Sequence, residues 1–324
     1  MTKDLVSYIK KEVTRVGLVD LPLAIQQCGQ DGIRRFLEFF TVTIRNKNTR
    51  LAYAQAIGQF FERCEDRGIK ELSQIEPIVI AAYIEQHRGS PPTVKRHLAA
   101  IRMLFDWLVI GQVVAQNPAT SIRGPKHVVK RGKTPVLTTD EARTLLDSIE
   151  QSTLIGLRDR ALIAVMVYSF ARVSASVAMR VDDCCAEGKR WWIRLHEKGG
   201  KRHEVPAHHN ADEYLDTYLK NAGIADEKKS PLFRTFNRSG RITDRGMSRN
   251  DALRMVKRRA KAAGLSQKIS CHTFRATGIT AYLENGGTME HAQVIAAHES
   301  PRTTKLYDRT SDEITLDEIE RILI

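Results

Sequence analysis

The chain has 324 residues, 42% of them apolar, enough to fill a core in each of two ordinary domains; this excludes a structureless polymer. A net charge of +13 and a pI near 9.6, with basic and acidic residues interspersed, point to a folded protein with a polyanionic partner, nucleic acid ahead of an anionic membrane surface. No apolar run of about 18 residues could span a bilayer and Met1-Thr2-Lys3-Asp4 lacks a secretory core, so no membrane association and a cytoplasmic location are expected.

Charge is unequal along the chain. Residues 1–133 hold 21 Lys and Arg against 12 Asp and Glu, whereas residues 134–324 hold 30 against 26. The first half is therefore the stronger expected phosphate binder. Its periodicity is helical: Tyr53, Ile57, Phe60, Phe61 and Cys64 form one apolar stripe, and Val94, Leu98, Ile101, Phe105 and Leu108 another. Ser90-Pro91-Pro92 opens the second of these helices, and Asn117-Pro118 closes the region after it.

Residues 122–134 are basic, contain Gly and Pro, and include no acid. Arg123, Lys126, Lys130, Arg131 and Lys133 mark a connector that can follow a phosphate backbone while joining two domains. The expected division is an N-terminal domain to residue 124, a linker over 125–135 and a second domain over 136–324.

Thr138 and Glu141 fit a capping box that starts the second domain. A buried central helix follows over Leu157 to Tyr168. Trp191 to Leu195 and His203 to Pro206 flank Lys198-Gly199-Gly200-Lys201 as one β-hairpin, the single clear strand element. Its tryptophans read as packing rather than as base-stacking platforms. Further helices are expected around Asn210–Asn221, Arg249–Ala263, Ala276–Glu284 and Met289–Ala297, before a tail with Ile314, Leu316, Ile319, Ile322 and Leu323. The five cysteines are odd in number and show no CxxC pair, so free thiols are expected, with no disulfide framework or zinc site.

Scattered residues carry the chemistry. Arg172 follows the buried helix, His272 and Arg275 form His-x-x-Arg, and His298 precedes Tyr307 by nine residues. Each signal alone is weak. In this order, with Lys198 in the hairpin and Tyr307 lying 32 residues after Arg275, the set resembles the tyrosine recombinase (phage integrase) family over almost the whole chain. Asn48, Thr49 and Arg50 in one helix, and Lys95 and Arg96 in another, look like that family's core-binding helices.

The resemblance implies a mainly α protein: a helical, SAM-like core-binding domain, then a mostly α catalytic domain with a small antiparallel sheet, the DNA breaking-rejoining fold. The expected activity is site-specific cleavage and rejoining of duplex DNA through a 3′-phosphotyrosine on Tyr307. Arg172 and Arg275 would hold the phosphate, since a planar guanidinium donates two hydrogen bonds and stays charged. His272 and His298 would donate hydrogen bonds or move protons, and Lys198 would protonate the leaving 5′ oxygen. DNA contacts are expected from Asn48, Thr49, Arg50, Lys95, Arg96, Arg123, Lys126, Lys130, Arg131 and Lys201. No Walker loop and no acidic metal cluster are present in the sequence, so neither metal nor ATP is expected. The resemblance also implies a tetramer on DNA, joined through the C-terminal helix, with docking of that helix within its own chain left open by the sequence.

Two positions depart from the family pattern. Ala175 stands three residues after Arg172 where an acid is usual, and Ala297 replaces a glycine, read as a minor change. Cleavage in service of a mobile element is the leading expectation. A cleavage-deficient DNA-binding regulator and a type IB topoisomerase-like relaxing enzyme stay open as alternatives.

Overall fold

A computed structural model describes residue 18 and residues 20–129, 132–187, 190–197 and 200–309. The chain divides between Val128 and Val129 into two units. Among the described residues no helix is long and apolar enough to cross a membrane.

The first unit is helical. Short α1 (Leu23–Gln26) and α2 (Gly29–Glu38) lead through a π-helical turn, Phe39–Thr43, into α3 (Lys47–Glu65). Asn46 sets the start of α3, its side-chain oxygen accepting from the Asn48 and Thr49 N–H groups at 3.0 and 3.2 Å. Helices α4 (Pro77–Glu85) and α5 (Pro91–Ile110) begin with proline, where the missing N–H would lack a helical partner anyway. The expected stripes are buried: Ile57, Phe60, Phe61 and Cys64 of α3 share a core with Val94, Leu98, Ile101, Phe105 and Leu108 of α5. Phe36 and Phe40 meet edge-on at 5.4 Å beside them. Within this core Tyr83 Oη lies 2.8 Å from His97 Nδ1, and burial, with His87 and Arg96 nearby, pushes the His97 pKa down to about 4.

In the second unit the Thr138/Glu141 capping box opens α6 (Thr139–Asp147), with both reciprocal bonds made. Buried α7 (Leu154–Tyr168) forms the centre, flanked by α8 (Val173–Ala178), α9 (His209–Ala222) and α10 (Arg249–Ala262). Asp159 of α7 is fully buried and accepts from Arg158, Arg258 and Arg259, which fastens α10 to α7. Such a carboxylate is tolerable inside only because several guanidiniums satisfy it.

The strand content exceeds the single hairpin expected. β2 (Arg190–His196) and β3 (Arg202–Pro206) pair as anticipated, with Ile193 opposite Val205, but β1 (Cys184–Glu187) adds a third antiparallel strand on the other edge of β2. A separate ladder joins β4 (Arg234–Phe236) to β5 (Ile242–Gly246). Helix α11 spans Cys271–Glu284, starting five residues before the expected Ala276, because Ser270 and Thr273 form a cap there. The chain continues through α12 (Met289–Ile295) and α13 (Pro301–Lys305). The tail with Ile314 and Leu323 lies outside the described residues.

Candidate active site

Four stretches of the second unit converge. The first is the turn after α7, where Phe170 adopts φ 52°, a left-handed conformation unusual for a bulky residue. That turn directs the Phe170 carbonyl at Arg275, whose Nη1 donates to it while Nη2 donates to the Ala296 carbonyl at 2.6 Å. Arg275 is 1% exposed, and its Nε has no hydrogen-bond partner. Burial and the neighbouring Arg172 lower its pKa to about 10, with Tyr307 and Glu197 opposing the fall. It therefore remains a cation at neutral pH.

One turn earlier on α11, His272 places Nε2 2.8 Å from the Tyr307 hydroxyl while leaving one edge open to solvent. Partial burial of the ring, then the charges of Arg275 and Arg172, hold its pKa below the ordinary value. A neutral imidazole can accept the phenol O–H at Nε2.

The third stretch leaves α12 through Ala297, which takes φ 48°. The alanine read as a minor change therefore sits in a conformation that favours glycine, and it carries a strain the sequence reading missed. Buried His298 follows, its Nδ1 2.9 Å from Thr304 Oγ1. Burial, Arg275, Arg172 and His272 push its pKa down to about 3. Tyr307, just beyond α13, stacks on the His298 ring at 5.7 Å and 12° and meets His272 edge-on at 5.9 Å. The Thr280 hydroxyl donates to the Tyr307 carbonyl at 2.8 Å. Both the phenol oxygen and the backbone behind it are thus fixed.

Arg172, at the N-cap of α8, completes the set. Its Nη1 donates to Glu197 at the end of the hairpin arm, and its charge reaches His272, Arg275 and His298. The structure brings together Arg172, His272, Arg275, His298 and Tyr307. Lys198 lies outside the described residues. Sequence reasoning gave Glu197 no part; the available signal was an acid in a turn otherwise built from Lys and Gly. Cys271, beside His272, is buried and its thiol is pushed up to about 11, the opposite of what a nucleophilic thiol needs.

The expected DNA contacts differ in availability. Asn48 and Thr49 are exposed on the first turn of α3, whereas Arg50 donates from Nε and Nη2 to the Ile44 carbonyl at 3.1 and 2.9 Å and so braces its own chain. Lys95 and Arg96 are exposed on α5, Arg123 and Lys126 lie on the segment after it, and Lys201 is exposed at the foot of the hairpin turn. Lys130 and Arg131 lie outside the described residues. Trp191 packs partly buried against the second unit's core, in keeping with the packing reading.

Residues 135–313 match the phage integrase family, and residues 30–111 match the phage integrase N-terminal SAM-like domain. The chain is 28% identical over 288 residues to tyrosine recombinase XerD of Listeria monocytogenes, covering 86% of this chain and 93% of that protein. It is 31% identical over 271 residues to tyrosine recombinase XerC of Thermodesulfovibrio yellowstonii, covering 81% and 85%. Its fold is similar to that of XerH recombinase bound to difH substrate, with a TM-score of 0.65 at 18% identity over 98% of this chain and 95% of that one. It is also similar to a lambda integrase dimer bound to a COC′ core site, with a TM-score of 0.63 at 20% identity over 98% and 85%. The chain belongs to the phage integrase family and is a site-specific recombinase of the tyrosine type.

Proposed function

We propose that the chain cleaves and rejoins duplex DNA through a 3′-phosphotyrosyl bond to Tyr307. The observation that carries this reading is the Tyr307 hydroxyl 2.8 Å from His272 Nε2, in a site where two guanidinium charges act on the same histidine. A phosphodiester repels nucleophiles, and its transition state gathers charge on the non-bridging oxygens. Arg172 and the unpaired Nε of Arg275 would donate to those oxygens.

As the Tyr307 oxygen bonds to phosphorus, His272 takes the phenol proton and the bond to the 5′ oxygen breaks. Were His298 Nδ1 to accept from Thr304, 2.9 Å away, the neutral ring would carry its proton on Nε2 and offer a donor to a phosphate oxygen. Lys198 would protonate the leaving 5′ oxygen. Rejoining reverses the displacement, so the energy of the broken bond is kept in the phosphotyrosine.

Two variants test these roles on a nicked duplex that traps the covalent product. Tyr307→Phe should abolish the adduct on denaturing gels and leave DNA binding nearly intact; an undiminished adduct would remove the nucleophile. Lys198→Ala should slow cleavage of an ordinary phosphodiester far more than that of a 5′-sulfur substrate, whose leaving group needs little protonation. Equal losses on both would sink its role as acid. A DNA-binding regulator or a sequence-indifferent relaxing enzyme would instead show, respectively, no adduct at all or relaxation of any supercoiled DNA.

Asn48, Thr49, Lys95, Arg96, Arg123, Lys126 and Lys201, together with Lys130 and Arg131, are proposed DNA contacts. Four copies are proposed to act on two sites. In that assembly the apolar tail around Ile319 would dock on a neighbour, and a groove of about 460 Å³ lined by Val136, Leu146, Val167, Tyr214 and Phe274 offers an apolar surface for it. The proposed event serves a mobile element in the cytoplasm, the reading that Ala175 and the Phe170-Ala171-Arg172 box favour. Recombination of inverted repeats beside the chain's own gene is the check, and failure on them would turn the reading toward chromosomal substrates.

A further inference from the structure

Ala175 is buried on α8 and offers Arg172 no polar group. The carboxylate that Arg172 meets instead comes from Glu197, 25 residues further along the chain. Its side chain is 3% exposed, against 34% for Arg172. A carboxylate that deeply placed is costly unless a cation answers it, so each partner fixes the other. Among the described residues no other carboxylate pairs with Arg172. The backbone of Glu197 is also held, because its N–H donates to the Lys201 carbonyl at 2.8 Å and its carbonyl accepts from Gly200 at 3.2 Å. Gly200 takes φ 81°, a left-handed conformation that glycine adopts without strain.

We propose that Glu197 is a positioning residue for DNA cleavage, orienting the Arg172 guanidinium and tying it to the hairpin arm one residue before Lys198 in sequence. It supplies from the hairpin the carboxylate that α8 lacks at Ala175. The negative charge also tempers the repulsion between Arg172 and buried Arg275, whose charged state Glu197 favours. Without it, two like charges share the site and Arg172, the more exposed of the two arginines, is free to turn toward solvent. The proposal rests on Arg172 being a phosphate-binding group.

The test is single-turnover adduct formation on a nicked duplex carrying a 5′-bridging sulfur, which keeps weak cleavage measurable. Glu197→Gln should slow adduct formation on the order of 10- to 100-fold, the scale of one unpaired buried charge, while changing the Kd for DNA by less than about threefold. Glu197→Asp should recover part of the rate. In an Arg172→Ala background, Glu197→Gln should cost almost nothing further, because its effect passes through Arg172. A wild-type rate for Glu197→Gln, or its full loss repeated in the Arg172→Ala background, overturns the proposal. If the Gln variant does not fold, the Asp variant carries the test: a several-fold slower rate at an unchanged unfolding midpoint supports the proposal, and a wild-type rate overturns it. An Arg172→Ala rate equal to wild type would instead bring down the underlying reading of the site, whatever Glu197 does.

Discussion

His298 has opposite meanings for chemistry and for stability. Burial beside Arg275 and Arg172 keeps it neutral down to about pH 3. Its folded pKa lies below the ordinary 6.5, so the unfolded chain binds more protons between those values. The stabilising contribution is complete above about pH 6.5 and is lost progressively as pH falls toward 3. His97 acts in the same direction, with its folded pKa at about 4. The thermal unfolding midpoint should therefore fall between pH 7 and pH 4.5, and His298→Gln should make that fall shallower; identical slopes would contradict the assignment. Ala297 yields a second expectation. Its left-handed backbone costs roughly 1–2 kcal/mol for a residue with a Cβ, whereas glycine brings about 0.5–1 kcal/mol of extra chain entropy to lose. Strain wins, so Ala297→Gly should stabilise the protein by up to about 1 kcal/mol in denaturant unfolding, and a net loss would show that the turn is not strained.

At the scale of elements, α11 is the hub: it carries His272 and Arg275 on its first turns and packs on α7 further along. Gly278 makes that contact possible. A Cβ there would lie 2.0 Å from the Val167 carbonyl oxygen and 2.9 Å from the Phe170 ring. The first obstacle is backbone and cannot rotate away, so Gly278→Ala should cost about 1–3 kcal/mol. Because Phe170 also holds Arg275 through its carbonyl, cleavage should fall more than DNA binding does. An alanine variant with unchanged melting and cleavage would show that α7 and α11 can separate without consequence.

The same elements show how far sequence reading reached. The apolar stripes of α3 and α5 were legible because they repeat over several helical turns, and α6 because Thr138 and Glu141 announce their own capping bonds. β4 and β5 were not, since a three-residue strand facing a five-residue one is too short to show alternation. The start of α11 was missed for a related reason: Cys271-His272-Thr273-Phe274 has no strong helical preference, and the reciprocal Ser270 and Thr273 bonds that fix it do not match the usual Ser-x-x-Glu pattern. Arg172, His272, Arg275, His298 and Tyr307 could be found by their order. Glu197 could not, because its role exists only once the hairpin arm folds back against the N-terminus of α8.

At the scale of the whole molecule, the chain folds as two units. With the boundary after Val128, the first unit carries 18 Lys and Arg against 12 Asp and Glu and the second 33 against 26, and the first exposes Lys95 and Arg96. The second gathers a phenol, two guanidiniums and two neutral imidazoles from residues spread between 172 and 307. None of these groups is unusual alone; in the proposed mechanism the chemistry arises from their being gathered near the Tyr307 phenol oxygen. That oxygen is where the mechanism is most exposed. The adduct trapped on a nicked duplex should be digested with protease and the DNA-linked peptide identified by mass spectrometry. The phosphate should be found on the peptide containing Tyr307, attached to its phenol oxygen. Attachment to any other residue, or no attachment on a duplex that the protein binds and resolves, would contradict the mechanism.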